Sequence, residues 1–153
     1  MVPNTLLGPV TSLQTQLAFL ATTLPPSSVS IFYRQLASGL STHIYSRVFK
    51  QRSRGRLTEQ NGQTIEAETQ LWLQCCKQAV GKVVRRVDVP WQDLLEAVRL
   101  VSIPEGPSFV ALVQLAWHSS ADECVQKFEE AGVQRLSREE VKEVLSARLD
   151  CVP

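Results

Sequence analysis

The stretch Ser120-Ala-Asp-Glu-Cys-Val-Gln-Lys-Phe-Glu-Glu-Ala-Gly132, followed by Ser137-Arg-Glu-Glu-Val-Lys-Glu-Val-Leu145, carries two helix-start signals and one stop. Ser120-Ala-Asp-Glu123 and Ser137-Arg-Glu-Glu140 both read as capping boxes. In each, the serine hydroxyl accepts from the amide three residues on, and the glutamate reaches back to the serine amide. Leu136 and Val141 stand where a hydrophobic staple would, and Gly132 fits the left-handed position that closes a helix. The expected core faces are Cys124, Val125 and Phe128, then Val141, Val144 and Leu145. The reading is a capped helical hairpin over 119–150, built for packing and carrying no chemistry of its own.

Working outward, the same helical period recurs. Val10, Leu13, Leu17, Leu20 and Leu24 form a heptad-like stripe that runs to about Thr23, and Pro25-Pro26 breaks it. Ser27 or Ser28 then caps a second helix striped by Phe32/Tyr33, Leu36, Leu40, Ile44 and Val48. So short a turn predicts antiparallel packing of the pair. A third helix over about Thr64–Val80 presents Ile65, Thr69, Trp72, Cys76 and Ala79, and Gly81 closes it. Lys82–Val89 alternates like a strand but has no partner, so it reads as a linker or a helix continuation. Pro90 opens a fourth helix bearing Trp91, Leu94, Leu95 and Val98. After Glu105-Gly106-Pro107, Ser108 caps a fifth with Phe109, Leu112, Val113 and Ala116. The chain therefore reads as one all-α domain over 1–153, an antiparallel bundle of about six or seven helices with no sheet. An exposed basic loop is expected over about residues 50–63.

Bulk composition fits a globular protein: 44% hydrophobic and 20% charged residues, with a net charge of +1. The charge is uneven. Residues 1–60 hold six Lys/Arg against one acid, which gives +5, and residues 119–153 hold five against eight, which gives −3. That asymmetry can orient a partner, but it falls short of a nucleic-acid footprint. Cys75, Cys76, Cys124 and Cys151 contain no C-x-x-C pair, so reduced structural cysteines in a cytosolic setting are expected. No signal peptide and no membrane span is read from the chain, since a span takes about 20 apolar residues.

Catalytic signals are thin. His43 and His118 are the two histidines, one on the flank of an apolar stripe and one in a helix-ending turn. No H-E-x-x-H, G-x-S-x-G, P-loop or G-x-G-x-x-G occurs, so no metal or cofactor is expected. Glu66 and Glu68 fall on different helix faces and do not form a carboxylate pair. Arg47, Lys50, Arg52, Arg54 and Arg56 cluster at a helix end, where cations suit the negative pole, and no aromatic ring beyond Phe49 interleaves them. Trp72, Trp91 and Trp117 read as core anchors, with an interface role as the alternative.

Three segments in order resemble the C-terminal region of the RINT/TIP family, helical-rod subunits of the Dsl-type complex that tethers vesicles at the endoplasmic reticulum. The first is Phe32-Tyr-Arg-Gln-Leu-Ala-Ser-Gly-Leu-Ser-Thr-His-Ile-Tyr-Ser-Arg-Val48, similar to the family's long helix. The second is Trp91-Gln-Asp-Leu-Leu-Glu-Ala-Val-Arg-Leu100, similar to the helix before its terminal bundle. The third joins Ala121–Gly132 to Leu136–Leu149, similar to its closing hairpin. One region differs: Arg56–Ile65 stands where family members carry a Gly-Ala-Ala-Gln-Phe-like stretch. Family proteins are several times longer, so the resemblance implies that this chain corresponds to their terminal module alone.

The resemblance implies a non-enzymatic scaffold acting in Golgi-to-ER retrograde transport. It also implies cytoplasmic placement, peripheral to the endoplasmic reticulum membrane. The implied partners are other tethering-complex subunits and ER SNARE proteins, with no small-molecule substrate. No family motif places contact residues on this chain. The contacts expected on physical grounds are Arg52, Arg54 and Arg56 as a basic loop, and Trp72 and Trp117 as anchors. The alternative is a basic helical nucleic-acid-binding domain using Arg47–Arg56 with Arg85-Arg86, whose affinity would fall as salt rises.

Overall fold

A computed structural model describes residues 4–50 and 55–153. Seven α-helices and no strand occur among the described residues: α1 Asn4–Thr23, α2 Pro26–Tyr45, α3 Glu59–Val80, α4 Gln92–Ser102, α5 Pro107–His118, α6 Ala121–Glu130 and α7 Arg138–Leu145. A π-helical turn, Ser46–Lys50, prolongs α2, and a 3-10 turn, Val89–Trp91, leads into α4. The all-α bundle read from periodicity is the fold. The four cysteines are free.

The α4 helix is the central element, with Leu94, Leu95, Ala97, Val98, Leu100 and Val101 all buried. Trp91 precedes it and is fully enclosed. Its indole N–H donates to the Tyr33 hydroxyl at 3.0 Å, and that hydroxyl donates to the Val87 carbonyl at 2.6 Å. This relay decides which face of α2 turns inward. The buried line is Val29, Tyr33, Ala37 and Ser41, whereas Leu36, Leu40 and Ile44 of the expected stripe are only partly covered and Phe32 is exposed. Tyr33 enters the core because its hydroxyl finds two partners there, so its burial leaves no polar atom unsatisfied.

The α1 helix packs chiefly against α3 and touches α2 little, so the antiparallel pairing expected from the Pro25-Pro26 turn is loose. Val10 and Leu17 face inward, and the Cys75 thiol donates to the Val10 carbonyl at 3.3 Å. Pro26 opens α2 with no side-chain cap, so Ser27 and Ser28 are not used. Likewise Gly106 and Pro107 open α5, in place of Ser108.

The loop expected over about 50–63 is shorter than the sequence suggests. Leu57 is buried and α3 begins at Glu59. Leu57 N–H donates to the Ala147 carbonyl and Leu149 N–H to the Leu57 carbonyl, both at 2.8 Å, which ties this segment to the end of α7. Thr58 and Asn61 form a reciprocal capping box, a start signal hidden by the Asn-Gly pair that follows it. Gly62 lies inside α3 with the Val101 carbonyl of α4 against it, so the position has no room for a side chain: a Cβ there would come within 1.9 Å of that oxygen. Lys82–Val89 is a series of turns that buries Val84 and Val87, with Arg86 at φ 53°.

At the C-terminal end, α7 has the full capping box, but α6 shows only the Ser120 half, with the Glu123 amide 3.4 Å away. Gly132 takes the left-handed φ of 85° expected of it. Val125 is 63% exposed and does not face the core: Cys124 and Phe128, one helical turn apart, already fill the buried stripe.

Three helix ends and turns are satisfied from a distance. The Arg148 guanidinium, fully buried, donates to the carbonyls of Val101 at 3.0 Å and Ile103 at 2.6 Å, and so caps the end of α4. It also pairs with Asp150 and stacks 4.3 Å from the Phe109 ring. Arg138 donates to the carbonyls of Ala116 and Ser119 at the end of α5. The buried Glu96 carboxylate accepts the amides of Gln134, Arg135 and Leu136 at 3.0–3.2 Å. Glu96→Gln leaves one side-chain oxygen for three amides and turns an NH2 toward them. A loss of about 2 kcal/mol is expected, read as a lower urea midpoint; an unchanged midpoint would count against this role.

Candidate functional site

The α2 helix separates two recesses. On one side, Leu36, Leu40 and Ile44 look into a groove bounded by α1 and floored by α3. They stay partly open because α1 leans on α3 and not on α2. The groove consists of two adjoining hollows of about 630 and 640 Å³ that share Leu40, His43 and Trp72. The first is nearly all apolar or amide, with Pro9, Leu13, Gln16 and Gln35 on its rim. The second adds Ile65 and Val48, with Arg47 and Glu68 as its charged members. Among residues 1–46, Arg34 is the one Lys, Arg, Asp or Glu. Depletion of charge with retained apolar exposure is the compositional mark of an interface core.

On the other side, α2 presents Arg34, Ser38, Ser41, Thr42 and Tyr45 to a cleft of about 470 Å³. Val89, Pro90 and Leu94 form the facing wall, and Lys50, Asp93, Arg135 and Glu140 close one end. Asp93 is paired with Arg135, and Glu140 accepts from the Ser137 amide at 3.2 Å. The Tyr45 hydroxyl is buried and makes no hydrogen bond among the described residues. Burial pushes its pKa up, and Glu140, Glu143 and Asp93 add to that, so the phenol keeps its proton.

The sequence-expected contact residues divide. Arg52 and Arg54 lie outside the described residues. Arg56 is exposed just before the buried Leu57. Trp72 is half-buried in the groove floor, while Trp117, half-buried on α5, lines neither recess. The structure thus does not bring the two tryptophans to one surface. His43 stands exposed on the groove rim and His118 exposed at the end of α5. No group of three potential metal ligands lies together among the described residues. The Cys76 thiol is buried beside Cys75, and burial pushes its pKa up to about 12, so it remains a thiol.

Sequence reasoning missed Tyr45, Arg34 and the serine line of α2. The signal is the one-per-turn polar spacing 34, 38, 41/42, 45. No family model, no curated protein and no solved structure matches this chain.

Proposed function

We propose that this protein is a non-enzymatic protein-interaction module, of the kind that ends a vesicle-tethering rod in Golgi-to-ER retrograde transport. The observation that carries the reading is the groove between α1 and α2: apolar, half-open and set in a hairpin with a single charged residue. Its occupant is an amphipathic helix of a tethering subunit or an ER SNARE. Such a helix lays apolar residues spaced three and four apart onto Leu36, Leu40 and Trp72. The resemblance of 32–48, 91–100 and 121–149 to the RINT/TIP family supplies the identity of the partner class. Working at the cytoplasmic face of the endoplasmic reticulum agrees with the helices: none among the described residues is long and apolar enough to cross a membrane.

The test is recovery of partners from microsomal extract on the immobilised chain. Tether or ER SNARE subunits are expected on the wild-type bait. Leu40→Glu, which puts a carboxylate in the middle of the groove, should cut recovery at least tenfold while circular dichroism stays unchanged. Arg85→Glu, on an exposed turn away from the groove, should leave recovery intact. A folded bait that recovers none of these proteins, or a Leu40→Glu bait that recovers them as well as wild type, would overturn the proposal.

A further inference from the structure

We propose that one end of the bundle, where the Leu24-Pro25-Pro26 turn meets the Lys82–Val89 turns, docks on an anionic lipid surface. Phe19, Ile31 and Phe32 enter the headgroup layer, and Lys82 and Arg85 meet the acidic headgroups. The contact is separate from the groove and does not rest on the tether reading.

The two sets of turns share an end because α1 and α3 run parallel. The Cys75 thiol reaches the Val10 carbonyl, and one turn further along both helices the Gln14 side chain donates to Gln78 at 3.0 Å. Both helices therefore finish at the same end, α1 at Thr23 and α3 at Val80. The α2 helix starts there, since the Tyr33 hydroxyl donates to the Val87 carbonyl at 2.6 Å. Gln16 of α1 and Gln35 of α2 line one hollow of the groove. Phe19 and Phe32 come next on those faces, each one helical turn closer to Pro25-Pro26.

Apolar surface gathers at this end. Phe49, Phe109 and Phe128 are buried, whereas Phe19 is 65% and Ile31 62% exposed, with Phe32 and Leu24 open beside them. No Lys, Arg, Asp or Glu occurs from Leu17 to Tyr33. The nearby polar groups are largely occupied. The Thr22 and Thr23 hydroxyls both donate to the Phe19 carbonyl, at 2.8 and 2.6 Å. Pro25 and Pro26 have no N–H, and the Leu24 and Val29 amides donate to the Leu20 and Pro25 carbonyls. A turn with so few free donors enters a headgroup layer at little cost in lost hydration.

Charge selects lipid as the occupant. Lys77–Val89 holds Lys77, Lys82, Arg85 and Arg86 against Asp88, which leaves +3, and all four cations are exposed. Arg86 pairs with Asp88; Lys77, Lys82 and Arg85 form no ion pair among the described residues. A second copy docked here about a twofold axis would set that +3 against another +3. An anionic membrane instead attracts the cations and takes up apolar side chains to a depth of about 5–10 Å.

The test is co-sedimentation of the full chain with sucrose-loaded vesicles of phosphatidylcholine, alone or with about one-third phosphatidylserine. Binding is expected on the mixed vesicles, at least tenfold weaker on phosphatidylcholine alone, and falling as salt rises. Phe19→Ser with Phe32→Ser, both at exposed positions, should weaken it at least tenfold while circular dichroism stays unchanged. Lys82→Glu with Arg85→Glu should do the same from the charged side. Phe19→Trp should be quenched by lipids brominated on their acyl chains more strongly than the wild-type tryptophans are. Leu40→Glu should bind vesicles as wild type does, and Arg85→Glu alone should still recover groove partners, so the two surfaces fail independently. The proposal is overturned if no vesicle sediments the chain, if both vesicles bind it equally, or if either double substitution leaves binding intact. It is also overturned if Leu40→Glu loses binding, if Phe19→Trp is quenched no more than wild type, or if the phenylalanine pair instead abolishes self-association in solution.

Discussion

Replacing Arg148 with methionine is expected to cost about 3–4 kcal/mol of folding stability, the range seen when one member of a buried ion pair is removed. The side chain is fully enclosed, and its removal orphans the Val101 and Ile103 carbonyls and takes the cation from Asp150 and the Phe109 ring. Arg148→Lys keeps the charge but supplies neither the planar fork nor the stacked face, so about half that loss is expected. Urea unfolding followed by circular dichroism reads both; a methionine variant within 0.5 kcal/mol of wild type, a margin typical of surface substitutions, would refute the role. The pair also carries a pH signature. The Arg148 guanidinium holds the Asp150 carboxyl below its usual range. Its stabilisation is then fully present above the ordinary Asp pKa of about 4 and fades as the pH falls through the depressed value. Between pH 4 and pH 2 the wild type should lose more stability than Asp150→Asn.

Gly62→Ala should be nearly as damaging, about 2–3 kcal/mol, although alanine is the better helix former. The new Cβ would lie 1.9 Å from the Val101 oxygen and 2.5 Å from its carbon, both backbone atoms, so α3 and α4 must separate. Gly39 in α2 is the matched control. Nothing lies within 4 Å of a Cβ there, and Gly39→Ala should raise stability by about 0.5–1 kcal/mol. Opposite signs at two helical glycines would establish close approach, and not backbone entropy, as the cause. Val101 connects the two large effects, since its carbonyl both crowds Gly62 and accepts from Arg148. Gly62→Ala and Arg148→Met should therefore be less than additive.

What the sequence could and could not convey follows from the range of the forces involved. Start signals that act within four residues were readable: Ser120 and Ser137 stand at their helix starts, and Gly132 has the expected positive φ, at 85°. The helical period gave the class and the buried Cys124, Phe128, Val141, Val144 and Leu145. Errors arose where a distant partner decided the outcome. Tyr33 faces inward because its hydroxyl donates to the Val87 carbonyl and accepts from the Trp91 indole, which rotates the expected stripe of α2. Leu57 is buried because residues 147 and 149 pair with it. Gly62 looked like a loop glycine because its neighbour Val101 is on another helix. Of the candidate contacts, Trp72 reached a groove because it is large and on an apolar stripe, whereas Tyr45 escaped notice because an unsatisfied hydroxyl has no sequence pattern.

Arg148, Arg138 and Glu96 complete helix ends and turns that precede or follow them by many residues. During synthesis, α4 leaves the ribosome with its final carbonyls bare, and they stay so until Arg148 has been added some 45 residues afterward. The nascent chain can gather its apolar faces early, but it cannot lock. Expression arrested after Ala147 should accordingly leave a collapsed, protease-sensitive chain, and the next residue is the one that fastens it.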